Sequence, residues 1–82
     1  MSSKPTEREL LEENRRLRRL QMMVNLVMNV ISQGNLSVEE ASKLVASTKQ
    51  AALNLFPEKE FAYDLIYKPR LQRLMREKYR LN

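Results

Sequence analysis

The lysine and arginine residues of this 82-residue chain are the ones best suited to a chemical role, and that role is anion binding. Residues 68–82 carry six basic side chains and one acidic side chain, whereas residues 1–67 carry nine of each. The formal net charge of +5 therefore belongs to the last fifteen residues. On a helix that starts at Pro69, three arginines form one stripe and a fourth flanks it. These candidate anion or nucleic-acid contacts are Arg73, Arg76 and Arg80, with Arg70 beside them.

Such a basic amphipathic helix admits several interpretations. It could contact nucleic-acid phosphates, an anionic membrane surface or an acidic protein groove. In the favoured interpretation, the apolar side docks on the rest of the protein while the arginines face water. That apolar side consists of Leu71, Leu74, Met75 and Tyr79.

The sequence gives little support for catalysis or metal binding, because the chain contains neither histidine nor cysteine. Disulfides, thiolate nucleophiles and nitrogen or sulfur metal ligands are therefore excluded, as is a Ser-His-Asp triad. The single glycine leaves no glycine-rich phosphate loop. We predict that the protein is not an enzyme and has no cofactor, metal or small-molecule substrate.

The composition predicts long helices in one small domain spanning residues 1–82. Good helix formers are abundant, while only one glycine and three prolines are present. The arginine cluster at 15–19 and the apolar run 22–31 look superficially like a signal peptide. The run begins too far into the chain for that, and ten residues are too few to span a bilayer, which needs about 20. We therefore predict a cytoplasmic protein without a membrane span.

The first helix is predicted to run from about Glu7 to Gln33, after a flexible segment 1–5. Thr6 and Glu9 have capping-box spacing, and Gly34 is typical of a helix end. The apolar residues Leu10, Leu17, Val24 and Ile31 recur every seven positions. This repeat predicts a partly coiled-coil-like helix, and the segment LLEENRRLRRL resembles a leucine zipper. The likeness implies no DNA binding, since only Lys4 and Arg8 precede Leu10.

The remaining helices are predicted from capping residues and prolines. Ser37 and Glu40 have the spacing of a second capping box, which starts a helix from Val38 to about Phe56. The short loop between the first two helices favours an antiparallel hairpin. A short third helix should follow Pro57, with Phe61, Leu65 and Ile66 facing inward. Lys68-Pro69 should break or kink the chain, and the last helix should run from Pro69 to about Arg80.

The predicted core and interface follow from the apolar faces of these helices. The first helix should outreach the second, so that Leu10 and Leu11 overhang, and its methionine-rich half should be buried. The predicted core is Leu17, Leu20, Val24, Val27, Ile31, Leu44, Val45, Ala52 and Leu55. A second copy of the chain, or another helical protein, should cover the exposed heptad face. The alternative is that the last helix returns to cover this face, which would leave a monomer. The candidate interface is Leu10, Leu17, Met23 and Val30.

Two function classes follow from these surfaces. The leading prediction is a non-catalytic helical protein–protein interaction module that self-associates as a homodimer. The alternative is a small nucleic-acid-binding accessory protein that uses its basic C-terminal helix through phosphate contacts. The first depends on the apolar face of the first helix, and the second depends on the arginines of the last helix.

Overall fold

A computed structural model describes residues 4–80, which form four helices and no strand. The helices are α1 (Glu7–Gln33), α2 (Val38–Leu55), α3 (Glu60–Ile66) and α4 (Lys68–Tyr79). The all-α prediction is confirmed, as is the antiparallel pairing of α1 with α2. Of the predicted flexible segment 1–5, residues 1–3 lie outside the described residues. Residues 81 and 82 of the predicted basic C-terminal helix also lie outside them.

The bounds of α1 are determined by the residues predicted to cap it. The Thr6 side chain accepts a hydrogen bond of 3.1 Å from the backbone N–H of Glu9. At the other end, the Gly34 N–H donates to the Val30 carbonyl oxygen at 2.8 Å. A Cβ at position 34 would lie 2.5 Å from that oxygen, so the close approach of the chain requires glycine.

The start of α2 carries the complete capping box that the sequence predicts. The Ser37 N–H donates to Glu40 Oε1, and the Glu40 N–H donates to Ser37 Oγ, both at 3.1 Å. Hydrogen bonds donated to the Glu40 carboxylate by the Ser37 backbone N–H first, and by the Ser37 hydroxyl second, lower the pKa of that carboxyl. The helix ends at Leu55, one residue before the predicted end.

The third and fourth helices differ from their predicted bounds. Residues 57 and 58 form a turn, closed by a 3.1 Å hydrogen bond from the Lys59 N–H to the Phe56 carbonyl oxygen, so α3 begins only at Glu60. An interruption is present, but it lies at Tyr67, one residue before the predicted position, because α3 ends at Ile66 and α4 begins at Lys68 with Pro69 inside it. Arg80 lies beyond the end of α4 in a left-handed conformation, with φ of 53°, and therefore does not continue the helical arginine stripe.

The core lies where α2 and α4 both pack against α1. Five of the nine predicted core residues are buried: Leu20, Val24, Val27, Ile31 and Ala52. Leu44, Val45 and Leu55 are half-buried at the margin of this core. The prediction for Leu17 is wrong, because 41% of its surface is exposed where α1 outreaches its neighbours.

The predicted inward face of α3 is also wrong. Phe61, Leu65 and Ile66 are 81%, 66% and 49% exposed, while Tyr63 and Tyr67 are buried. Backbone hydrogen bonds explain why the tyrosines are the buried residues. The Tyr67 N–H donates to the Tyr63 carbonyl oxygen, and the Leu71 N–H donates to the Tyr67 carbonyl oxygen. The helical phase therefore carries through the junction, and the buried positions of α3 and α4 recur every four residues. They are Tyr63, Tyr67, Leu71 and Met75.

The methionine-rich half of α1 is buried on one side only. Met23 and Met28 pack at the margin of the core, but Met22 is 66% exposed, Leu26 is 64% exposed and Val30 is 40% exposed. The prediction of burial on several sides is therefore wrong for these three residues. The reason is that α2 and α4 are the helices that contact α1, while the short α3 packs on α2 and α4 instead.

Candidate functional site

An apolar groove separates the N-terminal half of α1 from α3. It arises because α3 packs on α2 and α4 without approaching α1. The groove encloses about 230 Å³ and contains buried apolar side chains, among them Leu20, Ala52, Tyr63 and Tyr67. The rest of its lining comes from the end of α2, from α3 and from α1: Glu13, Asn14, Leu17, Leu53, Phe56, Lys59, Ala62 and Ile66.

The rim of the groove exposes large apolar side chains on both sides. Leu17 of α1 is 41% exposed and Ile66 of α3 is 49% exposed. Leu10, one heptad before Leu17 and so on the same side of α1, is 47% exposed. Leu17 and Ile66 line the groove, and Leu10 lies two turns of α1 before Leu17. We call the groove together with these three residues the groove face. It contains two of the predicted interface residues, Leu10 and Leu17.

The groove face ends in a stretch of α1 that extends past the rest of the molecule. The guanidinium carbon of Arg16 lies 5.5 Å from the centre of the Phe56 ring, which places the end of α2 beside the middle of α1. Every residue of α1 from Glu7 to Arg19 is exposed. The predicted overhang of Leu10 and Leu11 is therefore present, in a molecule that measures 51 × 20 × 16 Å.

Ion pairs hold α3 in place as one wall of the groove. Lys49 Nζ of α2 lies 2.9 Å from Glu60 Oε2 and 3.0 Å from Asp64 Oδ1. Hydrogen bonds to Glu60 first, and to Asp64 second, raise the pKa of Lys49. Desolvation by burial raises the pKa of the neighbouring Tyr63 hydroxyl, and the positive charge of Lys49 partly opposes that rise. Sequence reasoning missed this cluster, because its members are distant in the chain.

The other two predicted interface residues lie on a different side of α1. Six residues separate Leu17 from Met23, which corresponds to a rotation of about 240° around the helix. Met23 is half-buried and Val30 is 40% exposed, so they do not join Leu10 and Leu17 in one patch. The outer side of α1 instead presents a shallow surface that includes Arg15, Arg18, Arg19, Met22 and Leu26.

The basic side of α4 faces away from the core. Arg70, Arg73 and Arg76 are exposed, while Leu71 and Met75 on the opposite side are buried. The predicted docking of the apolar side is therefore confirmed.

The end of α4 is tied to the loop between α1 and α2. Lys78 Nζ donates to the Ser32 carbonyl oxygen at 3.1 Å, and the Tyr79 hydroxyl donates to that of Leu36 at 2.8 Å. Lys78 thus has a structural role that sequence reasoning missed, and Tyr79 packs at the margin of the core with its hydroxyl on the loop.

No cluster of ligands suited to a metal ion occurs among residues 4–80. None of the four helices is both long enough and apolar enough to cross a membrane. Comparison of the chain with protein-family models, with curated proteins and with solved structures found no match. The groove face and the basic side of α4 are therefore the features from which a function has to be inferred.

Proposed function

We propose that the protein is a non-catalytic helical interaction module that self-associates as a homodimer through the groove face. The observation that carries this proposal is the groove itself, an apolar concavity that opens beside exposed Leu10, Leu17 and Ile66. Covering such a surface stabilises a complex by about 25 cal/mol for each Å² of apolar area removed from water. Contiguous apolar surface of this kind marks interaction sites in proteins that are otherwise polar outside.

A second copy suits this surface because each molecule supplies both a groove and a projecting helix. The free N-terminal turns of α1 present Leu10 and Leu11, and no element among residues 4–80 covers the groove beside Leu17. Around a two-fold axis, the N-terminal turns of each α1 can cover the groove of the other molecule. Two-fold symmetry is the commonest symmetry of protein oligomers. The cytoplasmic location predicted from the sequence remains part of this proposal.

The proposal is tested by the mass in solution of the wild type and of two matched variants. Leu17→Gln places a polar group in the groove face, whereas Met22→Gln changes a more exposed apolar residue on the outer side of α1. We expect a dimer for the wild type and for Met22→Gln, and a monomer for Leu17→Gln, by light scattering at tens of micromolar. Circular dichroism would verify that both variants remain helical. A wild-type mass of 9.7 kDa throughout would reject the proposal.

Nucleic-acid binding is the second candidate function, and the exposure of Arg70, Arg73 and Arg76 is the observation that favours it. Contacts through these residues would be to phosphates, so affinity would fall steeply with salt. Changing all three to glutamine should reduce the salt dependence by about three units of slope. The matched control changes three exposed lysines elsewhere: Lys4, Lys43 and Lys59. Equal binding of fluorescent DNA and RNA by the two triple variants would exclude the basic side of α4 as the binding site.

A further inference from the structure

The charges of the N-terminal half of α1 are divided at Asn14. Residues 7–13 contain four acidic side chains and one basic side chain, so they carry a net charge of −3. Residues 15–21 contain four arginines and no acid, so they carry +4. The helix therefore has a negative segment and a positive segment of equal length on either side of one polar residue.

The division has the symmetry of a two-fold axis through Asn14. Glu13 and Arg15 are each one residue from Asn14, and Glu12 and Arg16 are each two residues away. Glu9 and Arg19 are both five residues away. When two copies of α1 lie antiparallel and cross at Asn14, residues at equal distances share one level along the helix axis, so the negative segment of each copy lies beside the positive segment of the other.

Most of these charges have no partner within the described part of the molecule. The ion pair in this segment joins Arg8 Nε and Glu12 Oε1 at 4.0 Å, and Arg16 lies over the Phe56 ring. Every residue from Glu7 to Arg19 is exposed, so the charged side chains of this range are free to meet another molecule. The same segment carries Leu10 and Leu17 of the groove face, which links the charge pattern to the apolar surface.

We infer that two copies of the chain pair antiparallel along the N-terminal halves of α1, with the two-fold axis near Asn14. This inference rests on the proposed function, since it specifies how the homodimer is arranged. Leu10 precedes Asn14 by four residues and Leu17 follows it by three, so the arrangement brings Leu10 of one copy close to Leu17 of the other. Each Leu10 then covers the rim of the partner's groove.

A parallel pair would place like charges together. The acidic segment of one copy would face the acidic segment of the other, and the arginines would likewise face arginines. These charges would lie within the Debye length, about 8 Å at physiological salt, so they would repel each other. Repulsion between facing like charges excludes wrong arrangements more effectively than exposed ion pairs strengthen correct ones. The charge pattern therefore selects the antiparallel orientation, while the apolar groove face supplies the attraction.

Cysteine cross-linking tests the orientation cleanly because the protein has no cysteine of its own. Asn14→Cys lies near the proposed axis and should form a covalent dimer on mild oxidation. Leu10→Cys alone should not, since the two cysteines would lie about 12 Å apart along the helices, beyond disulfide reach. A mixture of Leu10→Cys with Leu17→Cys should form a covalent heterodimer. The mass of each reduced variant is measured first, to verify that it still dimerises.

The outcomes separate this inference from the proposed function. A dimeric mass combined with efficient self-cross-linking of Leu10→Cys would show a parallel pair, and would overturn the inference while leaving the homodimer intact. A monomeric wild type would overturn both.

As a second measurement, Glu12→Arg with Glu13→Arg should weaken dimerisation at least tenfold. The control, Glu39→Arg with Glu58→Arg, changes two exposed acids elsewhere and should leave dimerisation unchanged. Equal effects of the two pairs would contradict the charge argument.

Discussion

Replacing Leu71 with alanine should measure how firmly α4 belongs to the folded domain. The Leu71 side chain is 1% exposed and is among the largest fully buried side chains of the described residues. The substitution removes three carbons, which amounts to about 2.4 kcal/mol of lost transfer free energy at about 0.8 kcal/mol each. A residual cavity adds to this, so we expect a loss of about 2.5–4 kcal/mol in the free energy of unfolding. Leucine and alanine are both good helix formers, so helix propensity contributes little.

That loss is large for so small a domain. A chain of this length is expected to have a free energy of unfolding of about 4–12 kcal/mol, and each lost kcal/mol lowers the midpoint temperature by about 4–8 °C. The assay is urea unfolding followed by circular dichroism at one fixed protein concentration, since dimerisation would contribute to apparent stability. The control is Leu65→Ala, at a position 66% exposed on α3, which should change stability by no more than about 0.5 kcal/mol. A loss below about 1 kcal/mol for Leu71→Ala would refute the docking of α4 as described.

Other changes should have smaller or more specific effects. Leu44→Ala removes a half-buried side chain and should cost about 1–2 kcal/mol in urea unfolding, and a loss of 3 kcal/mol or more would mean that Leu44 is fully buried. Ser37→Ala removes the cap of α2 and should cost about 1 kcal/mol, whereas Ser42→Ala, at an exposed position inside α2, should not destabilise. Lys49→Met should speed amide hydrogen exchange in α3, and unchanged exchange would show that the ion pairs do not hold that helix. Because folding raises the pKa of Lys49, its contribution is full below the ordinary value of 10.5 and is lost as pH rises through the folded value. The stability difference between wild type and Lys49→Met should therefore shrink above that pH, and a difference that persists at high pH would contradict the assignment.

The bounds of α1 and the start of α2 were predictable because local chemistry determines them. Thr6, Ser37 and Gly34 act on residues three or four positions away, so their effect can be read from spacing alone. The orientation of α3 was not predictable in this way. Hydrophobicity favoured burial of Phe61 and Leu65, but the phase of α3 is determined by its backbone continuity with α4 and by the ion pairs of Lys49. Both depend on tertiary structure.

The candidate site was predictable only in part, for the same reason. The overhang of Leu10 follows from the lengths of α1 and α2, which the sequence specifies. The groove depends on where α3 lies, and its wall includes Ile66, a residue predicted from the sequence to face inward. Heptad spacing related Leu10 to Leu17 and Met23 to Val30, and the six-residue step from Leu17 to Met23 already places the two pairs on different sides of α1, so their grouping into one interface was an avoidable error.

The two hydrogen bonds at the end of α4 have a consequence for the order of folding. They join residues 46 and 43 positions apart, from Lys78 to Ser32 and from Tyr79 to Leu36. The α1–α2 hairpin involves shorter separations and can therefore form early, at low cost in chain entropy. The apolar side of this hairpin stays exposed to water until α4 packs against it. A nascent chain that still ends before Lys78 should therefore expose the groove residues and Ile31 together. It should be most prone to aggregation at that stage.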